Sequence, residues 1–289
     1  MTLVVTIHGP KTVWVLSDRR LSSGRRIVRE DACKMMCLET MDGVAILAYA
    51  GLGATRLGTQ PSDWMSAVLR GRSFLTMERS LSVLFAAFQR EIPKQLRHFQ
   101  GHPGHSIRIP AFINDQLRFF VVEAEFDPTG GHYLTRHVRL IAGPHLKSPE
   151  TPRVSIAGSG RDYVKKGWDR RLLRLANACD RGQLSPAFVA GHLAALNHET
   201  HCAAVATGDQ SVGDRSIVAW CHPKGSGRGG AHRCYTGLRV DAVTPSLPTI
   251  ANGMDVQAII EMMAGRGNDI DAIRAGLAQL PDAPDEALR

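Results

Sequence analysis

The first fifty residues read as four strands folded into two hairpins, and that arrangement limits where the rest of the chain can go. TLVVTIH (2–8) and TVWVLS (12–17) are β-branched, apolar runs separated by Gly9-Pro10, a turn signal between strand signals. With a two-residue loop, cross-strand partners have numbers summing to about nineteen. That register sets Thr2 opposite Ser17 and diagonal to Asp18. KMMCL (34–38) and VAILAYAG (44–51), joined around Asp42-Gly43, form the second hairpin, with Lys34 and Gly51 at one end. If the hairpins are neighbours, that end faces Thr2.

Such a meeting has chemical content. An initiator Met before a residue as small as Thr is readily removed, and the mature chain would then begin at Thr2. One residue would carry both a hydroxyl nucleophile and a free α-amine, a recognised way to activate a weak hydroxyl. The amine, with a reference pKa of ~7.7–8.0, suits a group that takes the hydroxyl proton and returns it to a leaving group. Lys34 between Asp18 and Thr2 would lower the hydroxyl's pKa. Lys34 sits in an apolar run, where a lysine without a partner is costly. Gly51, lacking a Cβ, lets a carbonyl approach its N–H as an oxyanion hole requires.

The N-terminal half resembles the proteasome β-subunits, within the N-terminal-nucleophile hydrolases. The matching segments are Thr2, SDRRLSSG (17–24), the lysine of ACKMMCL (32–38), AGLGA (50–54) and SIAGSG (155–160). The resemblance implies Thr2 as nucleophile and base, Asp18 and Lys34 as its activating pair, and Gly51 as oxyanion donor. It further implies Arg20 as a structural arginine, Ser22 as a backbone partner of extended substrate, and Ser159 and Ser211 as supporting serines. The family places an Asp three residues before the second serine, where this chain has Gly208 with Asp209 next door. Either that loop is shifted by one residue or this leg of the network is altered. By the same alignment Leu21, Ala32, Met35, Tyr49 and Gly53 surround an apolar specificity pocket.

Beyond Gly51 the pattern turns helical, over PSDWMSAVLRG (61–71) and then residues 77–99, where Pro93 should kink or end the helix. GHPGHSIRIP (101–110) reads as a loop, and 117–127 with 132–143 as a third hairpin. RVSIAGSG (153–160) is a buried strand leading into a helix to about 179, followed by a Ser185-Pro186 capped helix over 185–200. RSIVAWC (215–221) is a core strand and CYTGLRV (234–240) an edge strand. Residues 241–253 read as linker, with helices over 254–264 and 269–279. Strands, two helices, strands, two helices, strands suit an α+β, four-layer αββα sandwich, the fold the resemblance also implies. The domain is expected over 2–240, with 241–289 a C-terminal linker and short helical extension.

Composition narrows the classes further. No apolar run approaches ~20 residues and no basic segment precedes an apolar stretch, so neither a membrane span nor a secretory signal is expected. Six dispersed cysteines point to reduced core residues of a cytoplasmic protein. The net charge of +8 comes from scattered arginines without interleaved aromatics, which argues for a basic surface and against nucleic-acid binding. His198, His201, Cys202, Cys221, His222, His232 and Cys234 form no recognised zinc spacing, so no metal or other cofactor is expected. The expected protein is a threonine endopeptidase acting on polypeptide, by resemblance in a homo-oligomeric ring, with an ATPase unfoldase as a candidate partner. The alternatives are a stand-alone amidohydrolase on a small amide, or a non-catalytic scaffold if Met1 is retained.

Overall fold

The structure is a computed structural model and describes residues 2–23, 26–51, 60–96, 104–127, 129, 132–136, 153–243 and 245–265. The fold is α+β. Its first strands are β1 (Val4–His8), β2 (Val13–Asp18), β3 (Leu21–Ser23), β4 (Arg26–Arg29), β5 (Met35–Thr40) and β6 (Gly43–Ala50). Next come β7 (His105–Ile113), β8 (Gln116–Asp127), β9 (His132–Arg136), β10 (Arg153–Ala157) and β11 (Arg215–Cys221). The last are β12 (Ala231–Thr236), β13 (Arg239–Val240), β14 (Thr249–Ala251) and β15 (Met254–Asp255). The α-helices are α1 (Pro61–Leu69), α2 (Met77–Leu96), α3 (Trp168–Asp180), α4 (Pro186–Ala206) and α5 (Val256–Gly265).

One sheet runs β10-β1-β2-β11-β12-β13 and a second β15-β14-β5-β6-β7-β8-β9, with β3-β4 a separate ribbon. Alternation along the strands sorts their side chains into three cores. Leu3, Val5, Ile7, Trp14, Leu16 and Val218 pack with Leu172 of α3 and Leu193 of α4. Met36, Leu38, Leu47 and Tyr49 pack with Met65 of α1 and Leu84 and Phe88 of α2. The alternate residues Val4, Val15, Met35, Ile46, Ala48 and Ile217 form a third cluster drawn from both sheets. At ~2 kcal/mol per fully buried aliphatic side chain, this third cluster is what holds the two N-terminal hairpins together.

Several elements depart from the sequence reading. The first hairpin turns through four residues, closed by the Gly9 N–H on the Thr12 carbonyl at 2.9 Å, and His8 pairs with Val13. Val4 therefore faces Ser17, and Leu3 exchanges hydrogen bonds with Asp18, leaving Thr2 two residues further out than the two-residue loop requires. Residues read as a Gly/Pro/His loop belong from His105 onward to β7. Pro110 is tolerated there because the pairing with β6 breaks between Ala45↔Ala111 and Ala48↔Arg108, where a proline has no N–H to give. Helix α2 runs past Pro93 to Leu96. The helix expected from 161 is a 3-10 turn, Ser159–Tyr163, and only then α3.

The second hairpin keeps its expected register, with Met35 opposite Ala48 and the Tyr49 N–H on the Lys34 carbonyl at 2.9 Å. The stretch read as linker contributes β14, which runs parallel to β5 with Thr249 beside Cys37. The third hairpin is present from Asp127↔His132 to Arg136. Its continuation to 143 and the helix expected over 269–279 lie outside the described residues. Among the described residues no helix is long and apolar enough to cross a membrane.

Candidate active site

Asp18 ends β2, Lys34 leads into β5, and the inter-sheet packing brings both to the start of the chain. Lys34 Nζ lies 2.6 Å from Thr2 Oγ1 and 2.9 Å from Asp18 Oδ1. Each of the three residues is only 1% exposed. Burial pushes the Lys34 ammonium below the usual lysine range, and Asp18 opposes that shift. The carboxylate is well supplied: Oδ1 also accepts the Leu3 N–H at 2.8 Å, and Oδ2 accepts those of Arg20 at 3.2 Å and Gly213 at 3.3 Å. Such saturation is what lets a buried ion pair exist without a prohibitive desolvation cost. The Thr2 hydroxyl accepts from Lys34, so its own proton is free to leave and the ammonium favours the alkoxide that results.

The Thr2 backbone is held from the other sheet edge. Its carbonyl accepts the Gly160 N–H at 3.3 Å. Gly158, at φ +87, lies so close that a Cβ would stand 2.0 Å from that same oxygen. Ser159, between these glycines, buries a hydroxyl that has no hydrogen-bond partner among the described residues. Gly51, at φ +146, is equally constrained, because a Cβ there would come within 2.5 Å of His105 Nδ1.

In the loop before β11, Asp209 is the acid that meets Ser211. Asp209 Oδ1 accepts the Ser211 N–H at 2.7 Å, and Oδ2 accepts the hydroxyls of Ser211 at 3.0 Å and Tyr163 at 2.8 Å. Burial pushes the Asp209 carboxyl up, but the hydrogen bonds from Tyr163 and Ser211 outweigh it and leave it below the ordinary range. The acid therefore stands two residues before Ser211, and Gly208, at φ +78, makes the turn. Arg20 clamps this loop, its guanidinium donating to the carbonyls of Gln210 at 2.9 Å and Val212 at 3.0 Å.

The expected specificity residues are only partly brought together. Leu21, Ala32, Met35 and Tyr49 are all buried, and Ser22 sits in β3 opposite Ile27. Met35 belongs to the inter-sheet cluster and Tyr49 to the helix-side one, because alternation sends them to opposite faces of their hairpin. Gly53 lies outside the described residues. His105, which the sequence reading left in a loop, shares a 2.7 Å hydrogen bond with the Tyr49 hydroxyl through Nδ1. Burial lowers its pKa to about 4, so it is neutral at pH 7. The alternating run SIRIPAFI after it was the available signal, obscured by Gly-His-Pro-Gly ahead.

No family model matches the chain, and no curated protein matches its sequence. Among solved structures it is similar to Anbu (ancestral beta-subunit) from Yersinia bercovieri, with TM-score 0.47 and 12% identity over 97% of this chain and 98% of that one. It is also similar to a Gly-1 mutant of Anbu from Hyphomicrobium sp. strain MC1, with TM-score 0.42 and 11% identity over 98% and 99% of the two chains. At that level no residue role carries across, and the roles below rest on the geometry around Thr2.

Proposed function

We propose that the chain is a threonine peptidase of the N-terminal-nucleophile type, on a four-layer αββα scaffold, with Thr2 exposed by removal of Met1. The observation that carries this reading is the buried Lys34 ammonium, 2.6 Å from the Thr2 hydroxyl and 2.9 Å from the Asp18 carboxylate. Thr2 Oγ1 attacks the peptide carbonyl while its proton passes to the α-amine. The Gly51 N–H receives the oxyanion, the amine protonates the leaving group, and an ester acyl-enzyme remains. Water, activated by the same amine, then hydrolyses the ester. Ser159 and the Asp209–Ser211 pair position the amine. No step needs a metal or organic cofactor.

In this reading the substrate is extended polypeptide lying beside Ser22 and Gly51. The six free cysteines suit a reducing, cytoplasmic setting. Closed assembly into a homo-oligomeric ring would shelter the site, with an ATPase unfoldase as feeder. A stand-alone amidohydrolase on a small amide uses the same machinery. The test is hydrolysis of fluorogenic peptides with acidic, basic and apolar ends. Apolar ends should be cleaved fastest, and Thr2→Ala should lose activity about a thousandfold. Full activity in Thr2→Ala removes the catalytic assignment. Size-exclusion chromatography separates a ring peptidase from a monomeric amidohydrolase.

A further inference from the structure

Helix α4 carries a second group of reactive side chains that the Thr2 site does not use. Of the six cysteines only Cys202 is exposed. Its Sγ lies 3.8 Å from His198 Nε2, one helical turn earlier on the same face. The other ring nitrogen, His198 Nδ1, lies 2.6 Å from Asp214 Oδ1. Asp214 is fixed from two sides, its carbonyl accepting from Asn197 Nδ2 at 3.3 Å and from the Gly237 N–H at 3.2 Å. Gly237, at φ +57, packs over the pair, where a Cβ would stand 3.4 Å from Asp214 Oδ2 and 3.5 Å from His198 Nδ1.

Nucleophile, base and orienting carboxylate thus stand in line. Asp214 accepts the Nδ1 proton and fixes the tautomer that turns the Nε2 lone pair toward the thiol, the general logic of an activated nucleophile. A metal reading fails on the same geometry. Sulfur and carboxylate lie on opposite sides of one imidazole, so they cannot converge on a single ion, and no metal-holding group occurs among the described residues. Acyl transfer would need donors for an oxyanion beside Sγ, and none is described there. Exchange with a disulfide needs no such donors, because the charge passes from one sulfur to another.

We propose that Cys202, His198 and Asp214 form a thiol–disulfide exchange site that takes low-molecular-weight disulfides and holds one half as a mixed disulfide. His198 Nε2 takes the thiol proton as Cys202 Sγ bonds to the nearer sulfur of the disulfide. The old S–S bond breaks, and the departing thiolate leaves with the proton held by His198. One S–S bond is lost and one gained, and no other oxidant enters.

The test treats the full-length chain with dithiodipyridine, follows the released thiol by absorbance, and locates the label by peptide mapping. Labelling should fall first on Cys202. His198→Gln should slow it about tenfold, with a smaller loss in Asp214→Asn and recovery of a His198→Ala variant by free imidazole. Exposure alone would label Cys202 equally fast in every variant, and that result overturns the proposal. A measurement on the unaltered chain covers the case of a variant that unfolds. Cys202 should react several-fold faster in the folded chain than in urea, and a folded rate equal to or below the urea rate overturns the proposal.

Discussion

Lys34 is the residue on which the site turns, and it is also the most constrained. It is held by Asp18 at 2.9 Å with both side chains essentially inaccessible to solvent. Removing the ammonium in Lys34→Met leaves a buried carboxylate that has lost its counter-charge, a change that typically costs ~3–5 kcal/mol. Chemical denaturation should show a loss of that order together with loss of peptide hydrolysis, and Lys34→Arg should not restore turnover, since a planar fork does not fit a point-charge site. A Lys34→Met chain as stable as the parent would show that the pair is not the buried device described. Gly158→Ala probes the same centre from the opposite side. Its Cβ would fall 2.0 Å from the Thr2 carbonyl oxygen, so Thr2 must shift. Overpacking of this kind costs ~1–3 kcal/mol, and here hydrolysis should fall with little left to rescue. At this scale the sequence was informative: a lysine in an apolar run and an aspartate at the end of another are visible without coordinates.

At the level of elements, what could be read depended on whether the signal was local. The second hairpin was legible because Asp42-Gly43 stands between two apolar runs and marks the turn that joins them. The first was misread by two residues because Gly9-Pro10 resembles a two-residue turn, whereas the chain closes on Thr12. Strand β7 was missed because Pro110 lies inside it, and β14 because three residues next to a proline carry little pattern until β5 is there to pair with. For the supporting loop the sequence left open whether it was shifted by one residue or this leg of the network was altered, and the hydrogen bonds that Asp209 accepts from Ser211 and Tyr163 appear only in the folded chain. That loop is a unit, and its parts should behave as one. Tyr163→Phe removes one hydrogen bond to Asp209 and should cost ~1 kcal/mol, whereas Asp209→Ala strands Ser211 and Tyr163 together and should cost ~2 kcal/mol. Equal effects of the two changes in urea denaturation would show that Ser211 does not depend on Asp209.

For the whole molecule, buried titratable groups make stability depend on pH. Burial lowers His8 to about 3 and His105 to about 4 from an ordinary 6.5. The unfolded chain therefore takes up those protons first, and the histidines' contribution is complete above pH 6.5 and lost as pH falls toward 4 and then 3. Asp180 acts with the opposite sign, since burial raises its carboxyl from 3.8 to about 6 and its contribution fades as pH rises through that value. Burial lowers His192 as well, so among the described residues the histidines outnumber the opposing Asp180 and stability should fall on acidification from pH 6 to 4. Urea denaturation across that range measures the slope, and His8→Asn should flatten it. A parent chain with no slope would contradict the burial of these rings. None of this was visible in the sequence, because whether a histidine is buried depends on partners as distant as Phe119, whose ring centroid lies 4.1 Å from that of His8.

The central claim is that Thr2 carries a free amine beside the Lys34–Asp18 pair and uses its hydroxyl as the attacking group. Intact-mass spectrometry of the purified chain, before and after incubation with a peptide β-lactone, tests both parts together. The account expects a chain lighter by one methionine residue that gains a single acyl group mapping to Thr2. A chain that keeps Met1, or an acyl group found elsewhere, would contradict it.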